Sequence, residues 1–341
     1  MFCTGPGDRP ATRLELGHAA GDDAPPAQLS VDGMTPTGPN LSHWPGNRTP
    51  PQWKADLSTG IALRFAAASD DEQAAFLGDA THVVNDHYDT DGFGSLLAVL
   101  RPDVAARCED RLLSAATVGD FGVWHTWRGF AIDRIVRDLA SADSPILGAF
   151  HGVGERDLAL ARYRWLVEHP EAVLDNTGGF RPLYEEEMAL VQQEIDEGLR
   201  GALDARRTPE LGFSAVRTEG ARHRMTVNTL AGAWRVLHVL EGRDGARYRY
   251  HDRTESWFEL VTFQPQPRRD LRGLRDVLRD LEPAQADAWW HADPPDTPIP
   301  ELYFGPEREQ AYGEVTRELW PSALSPERVE RACLDFFAQT A

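Results

Sequence analysis

Apolar residues recur at helical spacing through much of the first 208 residues. The pattern predicts helices over 55–68, 94–100, 103–118, 127–141, 155–168 and 181–204. A short β-branched run, Val83–Val84, predicts a strand that precedes the second of these helices. The first part of the chain is therefore predicted to be helix-rich, around a short and partly parallel sheet.

The pattern changes after about residue 209, where short runs separated by glycine-containing turns predict strands. These runs are 211–218, 224–230, 234–240, 246–250 and 256–263, and an amphipathic helix follows over 270–282. Together the two patterns predict an α/β or α+β fold. Its parts are an α/β domain over 39–208 and a strand-rich α+β lobe over 209–341.

Residues 1–38 are rich in Gly, Pro, Ala and Asp and show no periodicity. A segment of this composition cannot bury a core, so it is predicted to be a mobile leader. Within it, residues around Leu29–Val31 are expected to pair as a short edge.

The chain is strongly acidic, with 54 acidic against 35 basic residues and a formal net charge of −19. Long nucleic acids bind through clustered positive charge, so they are excluded as partners on this balance. A small anionic substrate stays compatible with it, because a bound metal ion can supply positive charge locally. Composition leaves an oligomer open.

The three cysteines, Cys3, Cys108 and Cys333, are odd in number and far apart. They form neither a disulfide framework nor a zinc-type spacing, which favours a reducing cytoplasm. The N-terminus has no apolar signal core and no window approaches a membrane span, so no membrane partner is expected.

The candidate chemistry lies where the predicted strand at Val83–Val84 ends, in the run "HYDTDG". In an extended chain, His87, Asp89 and Asp91 would point the same way, because side chains alternate at period two. One imidazole and two carboxylates suit Mn²⁺ or Mg²⁺, with Fe²⁺ as a further possibility. Ser95 would lie near the start of the following helix, where free N–H groups favour an anion.

The pattern His-x-Asp-x-Asp-Gly-x-x-Ser between an apolar strand and an apolar helix resembles the first metal-binding motif of the DHH phosphoesterase superfamily. The similarity covers about residues 81–100, and the Asp-His-His triplet that names the superfamily is absent. The resemblance implies that His87, Asp89 and Asp91 bind one or two divalent ions that activate water. Asp120 is the nearest counterpart of the second motif, and Asp120 and His125 are the predicted catalytic residues.

Other interpretations of the same stretch stay open. Asp-Thr-Asp-Gly alone is an ordinary turn sequence. "NDHYD" resembles the aspartate-rich motif of terpene cyclases, although the β-branched run and Gly92 disfavour the long helix in which that motif lies. The wider chain also resembles an actinobacterial family without assigned activity that shares an "HWPG" loop and the Asp-Thr-Asp-Gly turn.

A second polar stretch covers residues 41–59, and we expect it to lie beside the metal motif. Its side chains can hold a phosphate or carboxylate, since Arg offers a bidentate fork and Lys a point charge. The candidate substrate-binding residues are His43, Asn47, Arg48, Lys54, Ser58, Thr59 and Ser95. A capped helix after a proline-bounded loop is an equally good explanation of the stretch.

The sequence therefore predicts a divalent-metal-dependent hydrolase of phosphoester or phosphoanhydride bonds. Two alternatives remain: an inactive ligand-binding or regulatory protein on the same fold, and a metal-dependent enzyme of specialised metabolism that acts on a non-phosphate substrate. No serine hydrolase, zincin or paired Cys–His signature is present.

Overall fold

The computed structural model of the chain describes residues 14–17, 28–283, 287–306 and 317–339. These residues form two compact units. The first comprises the described residues up to 188 together with 258–262, and the second comprises 189–257 and the described residues from 263 onwards. The fold is mixed α/β, as predicted, with 49% helix and 16% strand.

The first unit is helix-rich. Its strands are β1 (Glu15–Leu16), β2 (Gln28–Val31), β3 (Asn40–Leu41) and β4 (His82–Val84). Its helices are α1 (Ser58–Ala66), α2 (Asp70–Leu77), α3 (Thr90–Leu100), α4 (Pro102–Arg107), α5 (Glu109–Phe121), α6 (Trp127–Arg137), α7 (Glu155–Glu168) and α8 (Pro170–Leu174). The division between the units falls within α9 (Glu185–Glu197).

The sheet of the first unit is parallel throughout, with strand order β1-β4-β2-β3. Helix α3 packs against the sheet and against α1, α5 and α7. Nearly every residue of α3 is buried, including Phe93, Leu96 and Leu97 at 0% exposure. The carboxyl ends of β2, β3 and β4 therefore meet at one edge of the sheet, next to the start of a central helix.

The second unit is built on a six-stranded sheet with the order β5-β6-β7-β8-β10-β9. The strands are β5 (Asp204–Thr208), β6 (Phe213–Glu219), β7 (Arg235–Glu241), β8 (Arg247–Asp252), β9 (Ala288–Ala292) and β10 (Glu301–Pro306). The helices are α10 (Arg224–Ala231), α11 (Leu271–Leu281) and α12 (Pro326–Ala338). All neighbouring strands are antiparallel except β6 and β7, which α10 connects as a parallel pair.

The prediction of a mobile leader over residues 1–38 is wrong for its described part. Strand β2 pairs with both β3 and β4, so Leu29 and Val31 are 0% exposed at the centre of the sheet rather than at an edge. The strand was not recognised in the sequence, because it has only four residues and lies in a polar segment. Residues 1–13 and 18–27 of the predicted leader lie outside the described residues.

Two predicted strands are also wrong. Residues 224–230 form helix α10, because Val227 and Ala231 lie one turn apart and pack together on the sheet. Residues 256–263 contain no strand, and 258–262 belong to the first unit. The predicted boundary at 208/209 accordingly differs from the division within α9.

Leu29→Ala is expected to lower the free energy of unfolding by about 2–5 kcal/mol, because it opens a cavity in a fully buried strand. Urea denaturation measures this change. The control is Leu190→Ala, which truncates a side chain of a residue that is 47% exposed and should cost far less. Equal effects of the two substitutions would mean that β2 is not part of the core.

Within the described ranges, no helix combines the length and the apolar composition needed to cross a bilayer.

Candidate metal centre

Polar side chains gather at the carboxyl ends of three neighbouring parallel strands. Asp32 directly follows β2, His43 comes two residues after β3, and His87 comes three residues after β4. Because β2 lies between β4 and β3, Asp32 is placed between the two histidines. This edge of a parallel sheet is where α/β folds bind their ligands.

Asp32 connects the two histidines through its two carboxylate oxygens. Its Oδ1 lies 3.8 Å from Nε2 of His43, and its Oδ2 lies 3.2 Å from Nε2 of His87. The backbone of Asp32 has φ 58°, the only positive φ of a non-glycine residue in the described chain. Aspartate tolerates this left-handed conformation better than most residues do, and such strain is concentrated at functional sites.

One side of Asp32 faces a group that we call the buried group: Asp32, His43, Asp91 and Asp120. One potential ligand atom from each residue lies within 4.8 Å of the others. Nε2 of His43 is 3.8 Å from Oδ2 of Asp91 and 3.4 Å from Oδ2 of Asp120. The four side chains are at most 7% exposed, so the space that they enclose is shielded from bulk water.

The other side faces what we call the open group: Asp32, His87 and Asp89. Nε2 of His87 lies 3.0 Å from Oδ2 of Asp89, and these side chains are 30% and 37% exposed. His87 also lines a cavity of about 120 Å³, together with Asp86 and Arg156. The open group is therefore partly exposed to solvent, whereas the buried group is shielded from it.

Both histidines are oriented in the way that metal ligands usually are. Nδ1 of His43 lies 2.7 Å from the carbonyl oxygen of Asp56, and Nδ1 of His87 lies 2.8 Å from Oδ1 of Asp86. A carbonyl oxygen only accepts hydrogen bonds, so Nδ1 of His43 carries the proton and Nε2 presents a lone pair. Metal-bound histidines almost always make such a bond through their other nitrogen.

The lone pair of His43 Nε2 is buried and has no hydrogen-bond partner among the described residues. The residue is only 1% exposed, so water does not solvate the nitrogen freely. An unsatisfied buried acceptor surrounded by carboxylates lacks a cation or a donor. A divalent metal ion would satisfy His43 and the carboxylates at once.

Burial and neighbouring carboxylates raise the pKa of two members of the buried group, Asp120 and Asp32. Burial raises the pKa of Asp120 well above its ordinary value, and the charges of Asp91, Asp89 and Asp32 raise it further. Burial likewise raises the pKa of Asp32, with further contributions from Asp89 and Asp91. Burial lowers the pKa of His43, so this imidazole is neutral and can coordinate a metal.

The open group has a different balance. Burial alone would lower the pKa of His87, but hydrogen bonds with Asp32, Asp86 and Asp89 raise that pKa well above its usual range. Without metal, an imidazolium ion therefore supplies a positive charge within this group. Among the described residues, neither Asp32 nor Asp89 forms an ion pair with Arg or Lys. A metal ion would replace the imidazolium proton, since a histidine ligand must be deprotonated.

Two of the carboxylates also hold helix starts. Asp91 accepts hydrogen bonds from the backbone N–H groups of Ser58 and Thr59, at 2.7 and 2.8 Å, where α1 begins. Asp89 caps α3 by accepting from Gly92 N–H at 2.8 Å. A carboxylate has about four lone-pair sites, so each retains capacity for a metal ion. These contacts fix both carboxylates in place.

Tyr163 of α7 fixes the backbone that carries the open group. Its hydroxyl accepts from Asp89 N–H at 3.0 Å and donates to the carbonyl oxygen of His87 at 3.0 Å. Asn85 adds a third bond to the same hydroxyl. Gly92 is required beside it, because a Cβ there would lie 2.0 Å from Nδ2 of Asn85.

The segment 258–262, which is distant in sequence, also holds the buried group in place. The Phe258 ring stacks on the His43 ring with centroids 3.7 Å apart, and Glu259 N–H donates to the carbonyl oxygen of His43 at 2.7 Å. At the end of the segment, Asp56 accepts from two backbone N–H groups. The orientation of His43 thus depends on residues more than 200 positions away.

The chain matches the model of DUF6687, a family of unknown function, over residues 18–341. The chain belongs to the DUF6687 family. Comparisons with curated proteins and with solved structures found no match, and none of the comparisons links the chain to the DHH superfamily. The chemistry of this DUF6687 chain has to be inferred from its site.

The extended arrangement predicted for "HYDTDG" is wrong. Helix α3 starts at Thr90, well before the predicted start at Gly94, because Asp89 caps it. Asp91 is therefore helical and turns away from His87 and Asp89. The structure divides the three predicted ligands, with Asp91 in the buried group and the other two in the open group.

The stretch 41–59 lies beside the motif, as expected, but with other contacts than predicted. His43 faces the carboxylates, and Ser58 and Thr59 bind Asp91 through their backbone. A capped helix was the alternative explanation of this stretch, but no neighbouring side chain caps α1. Asp91 supplies the cap from a distant position.

Three of the predicted substrate-binding residues of this stretch, Asn47, Arg48 and Lys54, contact protein groups instead. Lys54 Nζ and Asn47 Nδ2 each lie 2.8 Å from Oε2 of Glu259. The Arg48 guanidinium donates to two backbone carbonyls of the loop after β2. All three side chains therefore support the loop around His43.

The remaining predicted residues have separate positions. Asp120 belongs to the buried group. His125 lies outside both groups, with Nδ1 2.9 Å from Oγ of Ser114. Ser95 is fully buried inside α3, and its Oγ has no hydrogen-bond partner among the described residues.

Sequence analysis missed Asp32, although a signal was present. In "LSVDG" a short apolar run is followed by an aspartate, just as Val83–Val84 are followed by the polar residues Asn85 and Asp86 before "HYDTDG". The surrounding Gly, Pro and Ala residues led to its assignment to a leader. Only the pairing of β2 with β3 and β4 shows its position.

Proposed function

We propose that this protein is a divalent-metal-dependent hydrolase of phosphoester or phosphoanhydride bonds in a small anionic substrate. The observation that carries the proposal is the position of Asp32 between two histidines. Each histidine is held at Nδ1 and directs Nε2 toward carboxylates. A turn whose only role was to end a strand would not need these contacts at the Nδ1 atoms of the two histidines.

The donor set favours particular ions. Two imidazole nitrogens with carboxylate oxygens, and no cysteine, suit Mn²⁺, Mg²⁺ or Fe²⁺ better than a structural zinc. We propose that the buried group holds one ion and the open group a second, with Asp32 shared between them. When bound, the ions would lower the pKa of a water molecule and stabilise charge on a phosphoryl oxygen.

The surroundings support a small substrate. The open group is the solvent-accessible one, and the adjoining cavity of about 120 Å³ includes the cation Arg156. Tyr163 holds the backbone carbonyl of His87, and Asp86 holds its Nδ1. Both contacts keep the imidazole in a fixed orientation for a metal ion. We propose Asp120 as a metal ligand rather than a proton acceptor, because it lies on the buried side.

The free cysteines Cys108 and Cys333, both buried, are compatible with the cytoplasm as the compartment that we propose.

A metal and substrate screen tests the proposal. Protein stripped with a chelator is supplied with Mn²⁺, Mg²⁺, Fe²⁺ or Zn²⁺ and assayed for phosphate release from phosphomonoesters, phosphodiesters and pyrophosphate. We expect turnover with Mn²⁺ or Mg²⁺ and none after chelation. Asp110→Asn, which removes an exposed carboxylate of α5 outside the site, should retain full activity.

The same screen separates the alternatives. Bound metal without phosphate release from any substrate would favour an enzyme that acts on a non-phosphate compound. Absence of any bound metal would favour a ligand-binding or regulatory protein.

A further inference from the structure

The sheet of the second unit has one apolar and one polar face. Tyr248, Tyr250 and Leu302 lie in the core that α11 and α12 cover. Because side chains alternate along a strand, Arg249 of β8 and Glu301 of β10 project from the opposite face. Helix α10 packs on part of this second face.

Three arginines converge on the buried carboxylate of Glu301, which is only 2% exposed. Arg317 Nη1 lies 2.5 Å from Oε2 of Glu301, and its Nη2 lies 2.6 Å from Asp293. Arg224 Nη1 is 3.5 Å from Oε1, and Arg249 Nε is 3.8 Å from Oε2. The last two distances exceed a normal hydrogen bond, so among the described residues Arg317 makes the closest contact with Glu301.

Arg224 and Arg249 are therefore left with unused donors. Neither guanidinium makes a hydrogen bond to any described residue, and the two side chains are 42% and 34% exposed. Among the described residues, three guanidinium groups here face only the two carboxylates of Glu301 and Asp293. This local excess of positive charge contrasts with the net charge of −19 of the whole chain.

Neighbouring groups show the same excess of positive charge. Burial lowers the pKa of Arg224, Glu301 opposes this effect, and nearby arginines add to it. Burial, Arg224 and Arg253 lower the pKa of the buried His251, which keeps this imidazole neutral. An added anion would relieve this repulsion.

We propose that Arg224 and Arg249 form a binding site for a phosphate group on the second unit. A phosphate offers several oxygens to two guanidinium groups, and Arg binds such oxyanions bidentately. Arg224 is also the first residue of α10, whose N-terminal end favours negative charge. The site needs no metal ion and does not depend on the proposed hydrolase activity.

Calorimetric titration of chelator-treated protein tests this site. Binding of inorganic phosphate or glycerol 3-phosphate is measured without metal, and variants of the arginine pair show whether it occurs there. We expect saturable binding of at least one of the two probes, and the tighter probe shows whether free phosphate or a phosphate ester is preferred. Arg224→Gln and Arg249→Gln should each weaken binding about tenfold or more.

Arg279→Gln is the matched control, because it removes an exposed arginine of α11 in the same unit. It should bind both probes as the wild type does. Arg224→Gln leaves the direct pair between Arg317 and Glu301 in place, so its melting temperature should stay close to that of the wild type. Absence of binding by the wild type, or unchanged affinity in Arg224→Gln, would overturn the proposal.

Discussion

Asp32→Asn is expected to remove both metal ions, whereas His43→Ala and His87→Ala each remove one. Asparagine keeps the shape of the side chain but loses the charge that both groups share. Each histidine, in contrast, belongs to a single group. Elemental analysis after dialysis against Mn²⁺ should give about two ions per chain for the wild type, about one for either histidine variant and almost none for Asp32→Asn.

Hydrolytic activity should fall with metal content. We expect Asp32→Asn to lose more than the roughly 10–100-fold that follows loss of a group supporting a ligand. Asp110→Asn serves as the control for removal of one negative charge. If Asp32→Asn retained the metal content of the wild type, the proposed shared position of this carboxylate would be wrong.

Asp120→Asn is expected to stabilise the metal-free protein while weakening its affinity for metal. Burial and three neighbouring carboxylates raise the pKa of Asp120 in the folded state above its unfolded value. The folded state therefore binds this proton more tightly than the unfolded state does, and stability falls as pH rises from about 3.8 through the raised pKa. Each tenfold difference in proton affinity between the two states corresponds to about 1.4 kcal/mol of stability.

Urea denaturation in the presence of a chelator measures this effect. At mildly alkaline pH the variant should unfold at a higher urea concentration than the wild type, and the difference should shrink as the pH approaches 3.8. Saturating Mn²⁺ should reverse the order, because the wild type gains more free energy from binding. A metal-free variant that is less stable than the wild type at alkaline pH would contradict the charge balance described for the buried group.

Local pattern was sufficient to predict much of the fold. The amphipathic helix α11 and the strands β6, β7 and β8 follow directly from periodicity. The change from strand to helix around His87 and Asp89 was also predictable, because β-branched residues precede the polar run and an apolar helix follows it. Helix α10 was not predictable in this way, since its β-branched residues resemble a strand until their packing is known.

The buried group could not be predicted from the sequence, because its residues come together only through contacts between distant parts of the chain. His43 is identifiable as a ligand only once β3 lies beside β2, and its orientation depends on Phe258. Asp120 lies in the last turn of α5, so no pattern of a strand ending in an acidic residue identifies it as a ligand. Asp32 follows a strand that is too short to stand out from its polar surroundings.

Anomalous diffraction from crystals grown with Mn²⁺ would test the metal centre most directly. We predict two anomalous peaks, one on each side of the Asp32 carboxylate. One should be bound by His43, Asp91 and Asp120, and the other by His87 and Asp89. A map with no peak next to Asp32 at saturating Mn²⁺ would contradict the central claim that these residues form a metal centre.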